Sequence, residues 1–496
     1  MKSPIELVQA NLPRLDPRIV RPVYRRGDVR PRIAHIGVGG FHRAHQAMYA
    51  DELLQNQIGD WGICGIGITP GDRAMRDALH AQDCLYTLVS RSANSEDVRV
   101  VGSIVDYRLA AGDPRAVIDY LCQPQIEIVS LTVTEGGYNY DFNTRRIDVG
   151  DSRVRADLED PDNPQTAVGY LAAVVKRRFR EGTPAPTILT CDNLAQNGDL
   201  LRSLVVEFAE NTDPELAHWI EDNVAFPNTM VDRITPSSTP EKIAWLSDHF
   251  GISDRWPVFC EDFVQWVIED RFVSGRPEWE RAGVQMVADV HPYELMKIRL
   301  LNGSHSALSY LGYLLGYRDV DEAMADTDLC SYLREWYMEE ITPTLSPVPG
   351  IDLDAYKDQL IRRFANPAIK DQVLRLAKDG SKKIPNMIIR ALGEMIERRL
   401  PHRAVALAVA AWIRFLGGAD EQGRIIPVED PLAELMTETA ADGGMNPRPF
   451  LSLPELFAPE VSRCEPFVHE VEGFLADLYR KGARKTLQEF LRTGAE

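Results

Sequence analysis

The chain has no Cys-x-x-Cys pair. Its seven cysteines (Cys64, Cys84, Cys122, Cys191, Cys260, Cys330, Cys464) are odd in number, scattered, and without a histidine at zinc-ligand spacing. Nothing in the spacing asks for a metal, and reduced, mostly buried thiols are the expectation. Cations are in deficit, 55 Lys and Arg against 74 Asp and Glu for a formal net charge of −19, and no long basic run exists. Phosphate backbones are held by clustered cations, so this balance argues against a nucleic-acid partner. Long apolar runs are missing too: the longest nearly unbroken one, residues 404–413, falls well short of the ~20 residues that span a bilayer. The opening MKSPIELVQANLPRLDP carries no apolar signal core. The expectation is a cytoplasmic, soluble protein with no membrane partner. Internal repeats and low-complexity segments are likewise absent.

What is present is length. At 496 residues the chain exceeds the ~250 to 300 residues at which single cores stop growing, so at least two domains are expected. Short apolar runs at 32–37, 62–68, 126–133 and 186–191 alternate with helical patterns at 46–55, 71–81 and 166–180. Strands alternating with helices predict βαβ units, hence an α/β, doubly wound, Rossmann-like N-terminal domain. From about residue 290 helical periodicity takes over, at 291–316, 323–339, 354–364, 367–378, 385–398, 404–416 and 468–491. A mainly α-helical C-terminal domain follows. Of two candidate seams, 275–278 and the proline-rich 343–352, the first precedes the change of pattern, and the division is drawn as 1–285 and 286–496.

Gly37-Val-Gly39-Gly40-Phe41-His42-Arg43 lies between a predicted strand and a predicted helix. Glycines there let backbone N–H groups approach a pyrophosphate, although His42 occupies the place of the third glycine in G-x-G-x-x-G. An ordinary strand-to-helix turn accounts for the same residues. Asp72, just beyond the second strand, suits the ribose hydroxyls of NAD and disfavours a 2′-phosphate, which neighbouring Arg73 would attract; a plain helix cap is the alternative. Thr134-Glu135-Gly-Gly-Tyr138 and Cys191-Asp192-Asn193 follow two further strands. The segment HPYELMKIRLLNGSH (291–305) opens the helical half. At ~100° per residue Lys297, His305 and Asn302 fall near ~0°, ~80° and ~140°, with Glu294 near ~60°. One polar flank amid leucines could desolvate Lys297 and lower its pKa. A solvated helix face is the bland reading. A Tyr293-x-x-x-Lys297 pair of the short-chain dehydrogenase kind is discounted, because that pair lies within the nucleotide-binding domain.

Together IAHIGVGGFHRAHQA (33–47), SLTVTEGGY (130–138), CDNLAQNG (191–198), FPNTMVDRITP (226–236), EDFVQWVIED (261–270) and LLNGSHSALSYLG (300–312) resemble the polyol-specific long-chain dehydrogenases, most of all the mannitol-oxidising branch. The resemblance runs from about residue 30 to the C-terminus. It implies NAD-dependent, metal-independent, reversible oxidation of a polyol secondary alcohol to a ketose, mannitol to fructose first among them. Arabinitol, sorbitol or fructuronate are the alternatives within the family, and a non-catalytic dinucleotide sensor the alternative outside it. It further implies Lys297 as general base, Asn193 and Asn302 as the amides facing the developing alkoxide, His305 as the residue orienting the substrate hydroxyl, and Glu294 as a carboxylate linking the lysine to water. Asp232, Arg375 and Lys383 match the polyol site, with Lys382 competing for the last place. A structural Asp232–Arg233 pair and two surface cations are the bland alternatives for these. Gly37, Gly39, Gly40, Phe41, Asp72, Thr134 and Glu135 match the cofactor site. A monomer is implied as well. Where the mannitol enzymes tend to show two adjacent acids after the second strand, this chain has Gly71-Asp72, which bears on discrimination against NADP.

Overall fold

Five short segments form the strands of one parallel sheet: β1 (Arg30–Ile36), β2 (Trp61–Gly67), β3 (Ile104–Leu109), β4 (Ile128–Leu131) and β5 (Thr187–Thr190), in the order β5-β4-β1-β2-β3. The computed structural model describes residues 3–141 and 144–494. Alternate residues of each strand enter different cores, as the two-residue period of a strand requires. Ala34, Ile36 and Val129 pack with the helices α3 (Ala167–Glu181) and α4 (Asn197–Thr212). Ile33 and Ile128 pack with α2 (Gln46–Gln55), Trp266 and Trp279. Both faces of the sheet are therefore covered, the arrangement that all-parallel sheets need. Helix α3 starts where sequence chemistry places it, the Thr166 hydroxyl accepting from the Gly169 N–H at 3.1 Å, and stops at Gly182 in the left-handed region.

Strand order reverses between β1 and β4, so the loops that follow these two strands diverge at a topological switch point, where ligands of such sheets bind. Two smaller three-stranded sheets join this unit, one of Tyr86–Arg91, Glu96–Val101 and Val258–Glu261, the other of Thr229–Asp232, Gln265–Glu269 and Gln285–Val287. The last strand pairs in parallel with Gln265–Glu269 and carries the first compact unit past residue 285, to His291.

The second unit, Pro292–Glu496, is helical. Its first helix is interrupted: α5 (His291–Met296) and α6 (Gly303–Leu314) flank a wide turn over Lys297–Asn302, in which the Gly303 N–H reaches back five residues to the Ile298 carbonyl. Two more wide turns of this kind occupy Tyr332–Tyr337 and Pro385–Ile389. The third departs from the helix start that periodicity places at Pro385. Proline normally starts helices because it lacks an N–H and clashes one turn back. Here the helix begins at Gly380 and passes through Pro385 by widening. The helix expected over 367–378 is reduced to Val373–Ala377, after a stretch in which Lys370 takes φ 50°. The one expected over 468–491 is broken at Gly482 (φ 79°) into Glu465–Lys481 and Ala483–Gly494. No helix among the described residues is long and apolar enough to cross a membrane.

Helix α7 (Arg403–Leu416) is buried on nearly every side, so its first N–H groups have no access to water and need partners. Glu340 supplies them, accepting from Ala404 N–H at 2.8 Å and Val405 N–H at 3.2 Å. Beside it His402 pairs with Glu470 at 2.8 Å, which raises the imidazole pKa above its ordinary 6.5 against a smaller opposing effect of burial. A folded pKa above the unfolded one stabilises below pH ~6.5 and is lost as pH rises through the folded value. Thermal denaturation of wild type should thus lose about 1 kcal/mol between pH ~6 and ~9 that a Glu470→Gln variant does not lose; parallel curves would remove the pair from the stability of this helix.

Candidate functional site

At the C-terminal edge of the parallel sheet, β1 runs into Gly37, whose φ of 89° and close neighbour admit no side chain. An added Cβ would lie 2.2 Å from the Thr132 carbonyl oxygen. The strand tips are tied together here: the Thr132 hydroxyl donates to the Gly37 carbonyl at 2.8 Å and meets His35 Nε2 at 2.9 Å, while His35 Nδ1 meets the Ser130 hydroxyl at 2.8 Å. Gly39 and Gly40 differ from Gly37. Added Cβ atoms there would find nothing nearer than 3.9 and 3.7 Å, so the chain's own packing does not demand glycine at these two positions. Bare backbone with open space beside it fits the close approach of a dinucleotide pyrophosphate.

The helix expected after this loop is short. Helix α1 (Gly40–Ala44) ends at His45 (φ −123°, ψ −90°), and α2 resumes in a new direction. His42, standing where a third glycine is usual, stacks on His35 with centroids 3.4 Å apart. Burial holds both rings neutral, His35 down to about 3 and His42 well below its ordinary range. Phe41 is half-buried and stacks on His45 at 5.0 Å. The carbonyl at the broken end of α1 is taken by Arg233, whose guanidinium donates to Ala44 O at 2.6 Å, to Glu261 O at 3.0 and 3.1 Å, and to the Ser90 hydroxyl at 2.9 Å. The VDRITP block is thus a strap across the end of the glycine-loop helix. Asp232, buried at the last position of its strand, lies opposite Gln265 in the register.

Asp72 follows β2 and is half-exposed. Its Oδ2 accepts from the Thr69 N–H at 2.8 Å and the Thr69 hydroxyl at 2.9 Å, a reciprocal capping box. The helix-cap role that its position after β2 allows is thus the one its hydrogen bonds display. After β4, Thr134 and Glu135 are exposed, and Thr134 takes φ 63°, a costly conformation for a β-branched residue. What holds it is Asp192, a buried carboxylate next to Asn193 whose role nothing in the local sequence announces. Asp192 accepts from Val133 N–H and Thr134 N–H, both at 2.9 Å, and from the Tyr138 hydroxyl at 2.8 Å. Desolvation still pushes its pKa up. Asn193, the next residue, is exposed at the tip of β5. Gly37, Gly39, Gly40, Asp72, Thr134, Glu135 and Asn193 all follow C-terminal strand ends of this one sheet.

In the second unit Glu294 and Lys297 are buried, at 8 and 7% exposure, and Asn302 and His305 are half-buried. The wide turn alters the geometry expected from a regular helix. Closing through five residues brings Asn302 one wide turn beyond Lys297 rather than ~140° around the axis, and His305 follows three residues later at neighbour spacing. The turn is fastened by Arg299, whose guanidinium donates to Thr344 O at 2.6 Å and to Glu394 at 2.9 Å. His305 lies against Phe364, ring centroids 4.3 Å apart. Of the cations expected at a polyol site, Arg375 is exposed and bound to the Asp371 carboxylate, which raises its pKa. Lys383 is half-buried and donates to the Leu376 carbonyl at 3.5 Å, whereas Lys382 is exposed. Among the described residues no group of three or more His, Cys, Asp or Glu is placed to hold a metal ion.

Residues 31–281 match the family model of the mannitol dehydrogenase Rossmann domain, and residues 289–479 that of the mannitol dehydrogenase C-terminal domain. The chain is 43% identical to a mannitol 2-dehydrogenase of Aspergillus fumigatus over 95% of each chain, and 42% identical to one of Phaeosphaeria nodorum over 98% of this chain and 86% of that one. Among solved structures, Pseudomonas fluorescens mannitol 2-dehydrogenase in ternary complex with NAD and D-mannitol superposes with TM-score 0.87 at 44% identity, covering 98% of this chain and 100% of that one. A D-sorbitol dehydrogenase in substrate-free form superposes with TM-score 0.91 at 37% identity, over 97% and 100%.

Proposed function

The chain belongs to the mannitol dehydrogenase family, and on that premise we propose that it oxidises D-mannitol reversibly to D-fructose, with Lys297 as general base and without a metal ion. It is an NAD-dependent oxidoreductase of the mannitol 2-dehydrogenase kind. The observation that carries the finer reading is the buried Lys297 at the head of a wide turn that ends on Asn302. Burial of an amine disfavours its charged form, which suits a group that must accept a proton near neutral pH.

The glycine loop, Phe41, Asp72, Thr134 and Glu135 would hold NAD, which supplies the acceptor for hydride when bound. Lys297 Nζ takes the hydroxyl proton as the carbon–hydrogen bond of the secondary alcohol gives up its electron pair. The amides of Asn193 and Asn302 donate to the oxygen as negative charge gathers on it, and a neutral donor does this without competing for the proton. His305 orients the same hydroxyl, and Glu294 passes the proton from Lys297 toward water. Asp232, Arg375 and Lys383 read the remaining hydroxyls of the open-chain polyol, and the monomer acts alone in the cytoplasm.

Initial rates with mannitol, arabinitol and sorbitol, each with NAD and with NADP, test this reading. The expected result is the highest kcat/KM for mannitol with NAD. Activity lost to a chelator and restored by zinc, or a sorbitol or arabinitol preference, would overturn it. Because Asp72 stands without a second acid and beside exposed Arg73, measurable turnover with NADP is also expected; complete NADP exclusion would remove that inference.

A further inference from the structure

The three wide turns of the helical unit meet at Gly303. An added Cβ there would stand 2.6 Å from the Tyr337 hydroxyl oxygen, the last residue of the second turn, and 3.6 Å from both the Ile298 carbonyl of the first turn and the Met387 carbonyl of the third. The Tyr337 side chain is fully buried, and its hydroxyl has no hydrogen-bond partner among the described residues. A buried hydroxyl without a bond is a cost to folding that phenylalanine would avoid. Gly303 repeats the pattern, since glycine inside a helix is a poorer choice than alanine. Two locally unfavourable residues touching one another, at the end of the turn that carries Lys297 and Asn302, mark a position where something other than stability is served.

We propose that Tyr337 and Gly303 are positioning residues for the reaction. The tyrosine hydroxyl occupies the space an alanine methyl would take, and that contact sets the wide turn by which Asn302 follows Lys297 on one side of the helix. The inference rests on Lys297 as the base. It differs from a packing role in a checkable way: among the described residues the hydroxyl is the only contact of that Cβ under 3.6 Å. With Tyr337 changed to Phe, the nearest neighbours of an alanine at 303 would be the two carbonyl oxygens at 3.6 Å, an ordinary separation.

The test is a double-mutant cycle of Gly303→Ala and Tyr337→Phe on the full chain, read by kcat, KM for mannitol, NAD dissociation constant and Tm. Gly303→Ala should lower kcat by ~10-fold or more and displace the pH profile of kcat, with the NAD dissociation constant unchanged. The double variant should recover to within about threefold of Tyr337→Phe alone, the coupling expected of groups in contact. Tyr337→Phe alone should keep or raise Tm while lowering kcat. Gly303→Ala with wild-type kcat and pH profile would overturn the proposal, as would a double variant no better than Gly303→Ala. If Gly303→Ala does not fold, Tyr337→Phe with unaltered kcat and pH profile overturns it. Wild-type protein without polyol turnover would instead strike the functional reading itself, and a wild type that turns over, loses activity in Lys297→Ala and ignores both substitutions here would strike this proposal alone.

Discussion

Lys297→Ala is expected to reduce kcat by ~10²-fold or more while the NAD dissociation constant stays within about twofold of wild type. The two effects separate because Lys297 belongs to the second unit and the glycine loop to the first. Without the amine only water is left to take the hydroxyl proton, so on the proposed mechanism little of the alkoxide that Asn193 and Asn302 would stabilise forms before hydride leaves. The remaining activity should rise with pH as free hydroxide replaces the base, whereas the wild-type profile should level off above the pKa of the amine. Lys297→Met retains the apolar stem of a side chain that is only 7% exposed, so it should show the same loss at nearly unchanged Tm. A rate near wild type in either variant would remove Lys297 from the chemistry.

Gly37→Ala should unfold the first unit far more readily than any other single methyl in the loop. The φ of 89° costs an L-residue on the order of 1–3 kcal/mol, and the Cβ would press to 2.2 Å on a carbonyl oxygen. That oxygen belongs to Thr132, whose side chain is already bonded to Gly37 O and His35. It cannot yield without dragging β4, so a total near ~3 kcal/mol or more is expected, seen as a fall in Tm and in expression. Gly39→Ala is the control. Its φ of −94° is ordinary and its nearest neighbour 3.9 Å away, so Tm should move by no more than about 2 °C, yet NAD affinity should drop by ~10-fold if the backbone there faces pyrophosphate. Equal losses of stability in both variants would mean that Gly39 is structural too.

Four strands were legible because β2, β4, β5 and the last four residues of β1 are buried and mostly apolar, so each shows as a short apolar run. Strand β3, IVDYRL, was not, since only Ile104 and Tyr107 of its residues are buried and it lacks a continuous apolar run. The strands of VDRITP and EDFVQWVIED were hidden for a different reason: their pairing is antiparallel and distant in sequence, and nothing local announces it. At the site, the spacing of Lys297, Asn302 and His305 pointed to one flank of a helix, but a five-residue turn leaves no mark in residue type, so the angle given to Asn302 was that of a helix the protein does not form there. Arg233 shows the limit of adjacency. Neighbouring opposite charges suggested an Asp232–Arg233 pair, whereas the guanidinium serves carbonyls of Ala44 and Glu261 that sequence distance conceals.

The Asp192 carboxylate makes one mechanical piece of the tips of β4 and β5, because its two oxygens hold the backbone at Val133 and Thr134 from a residue adjoining Asn193. For redesign this means that the two ends of the proposed chemistry are not separately adjustable at that edge: a change at Thr134 that disturbs its N–H bond to Asp192 is transmitted to Asn193, the proposed substrate amide. The Asp72 carboxylate is instead hydrogen-bonded to Thr69, three residues away in its own turn. Cofactor preference is therefore best rewritten on the β2 side, where the change stays local and turnover of the polyol is left intact.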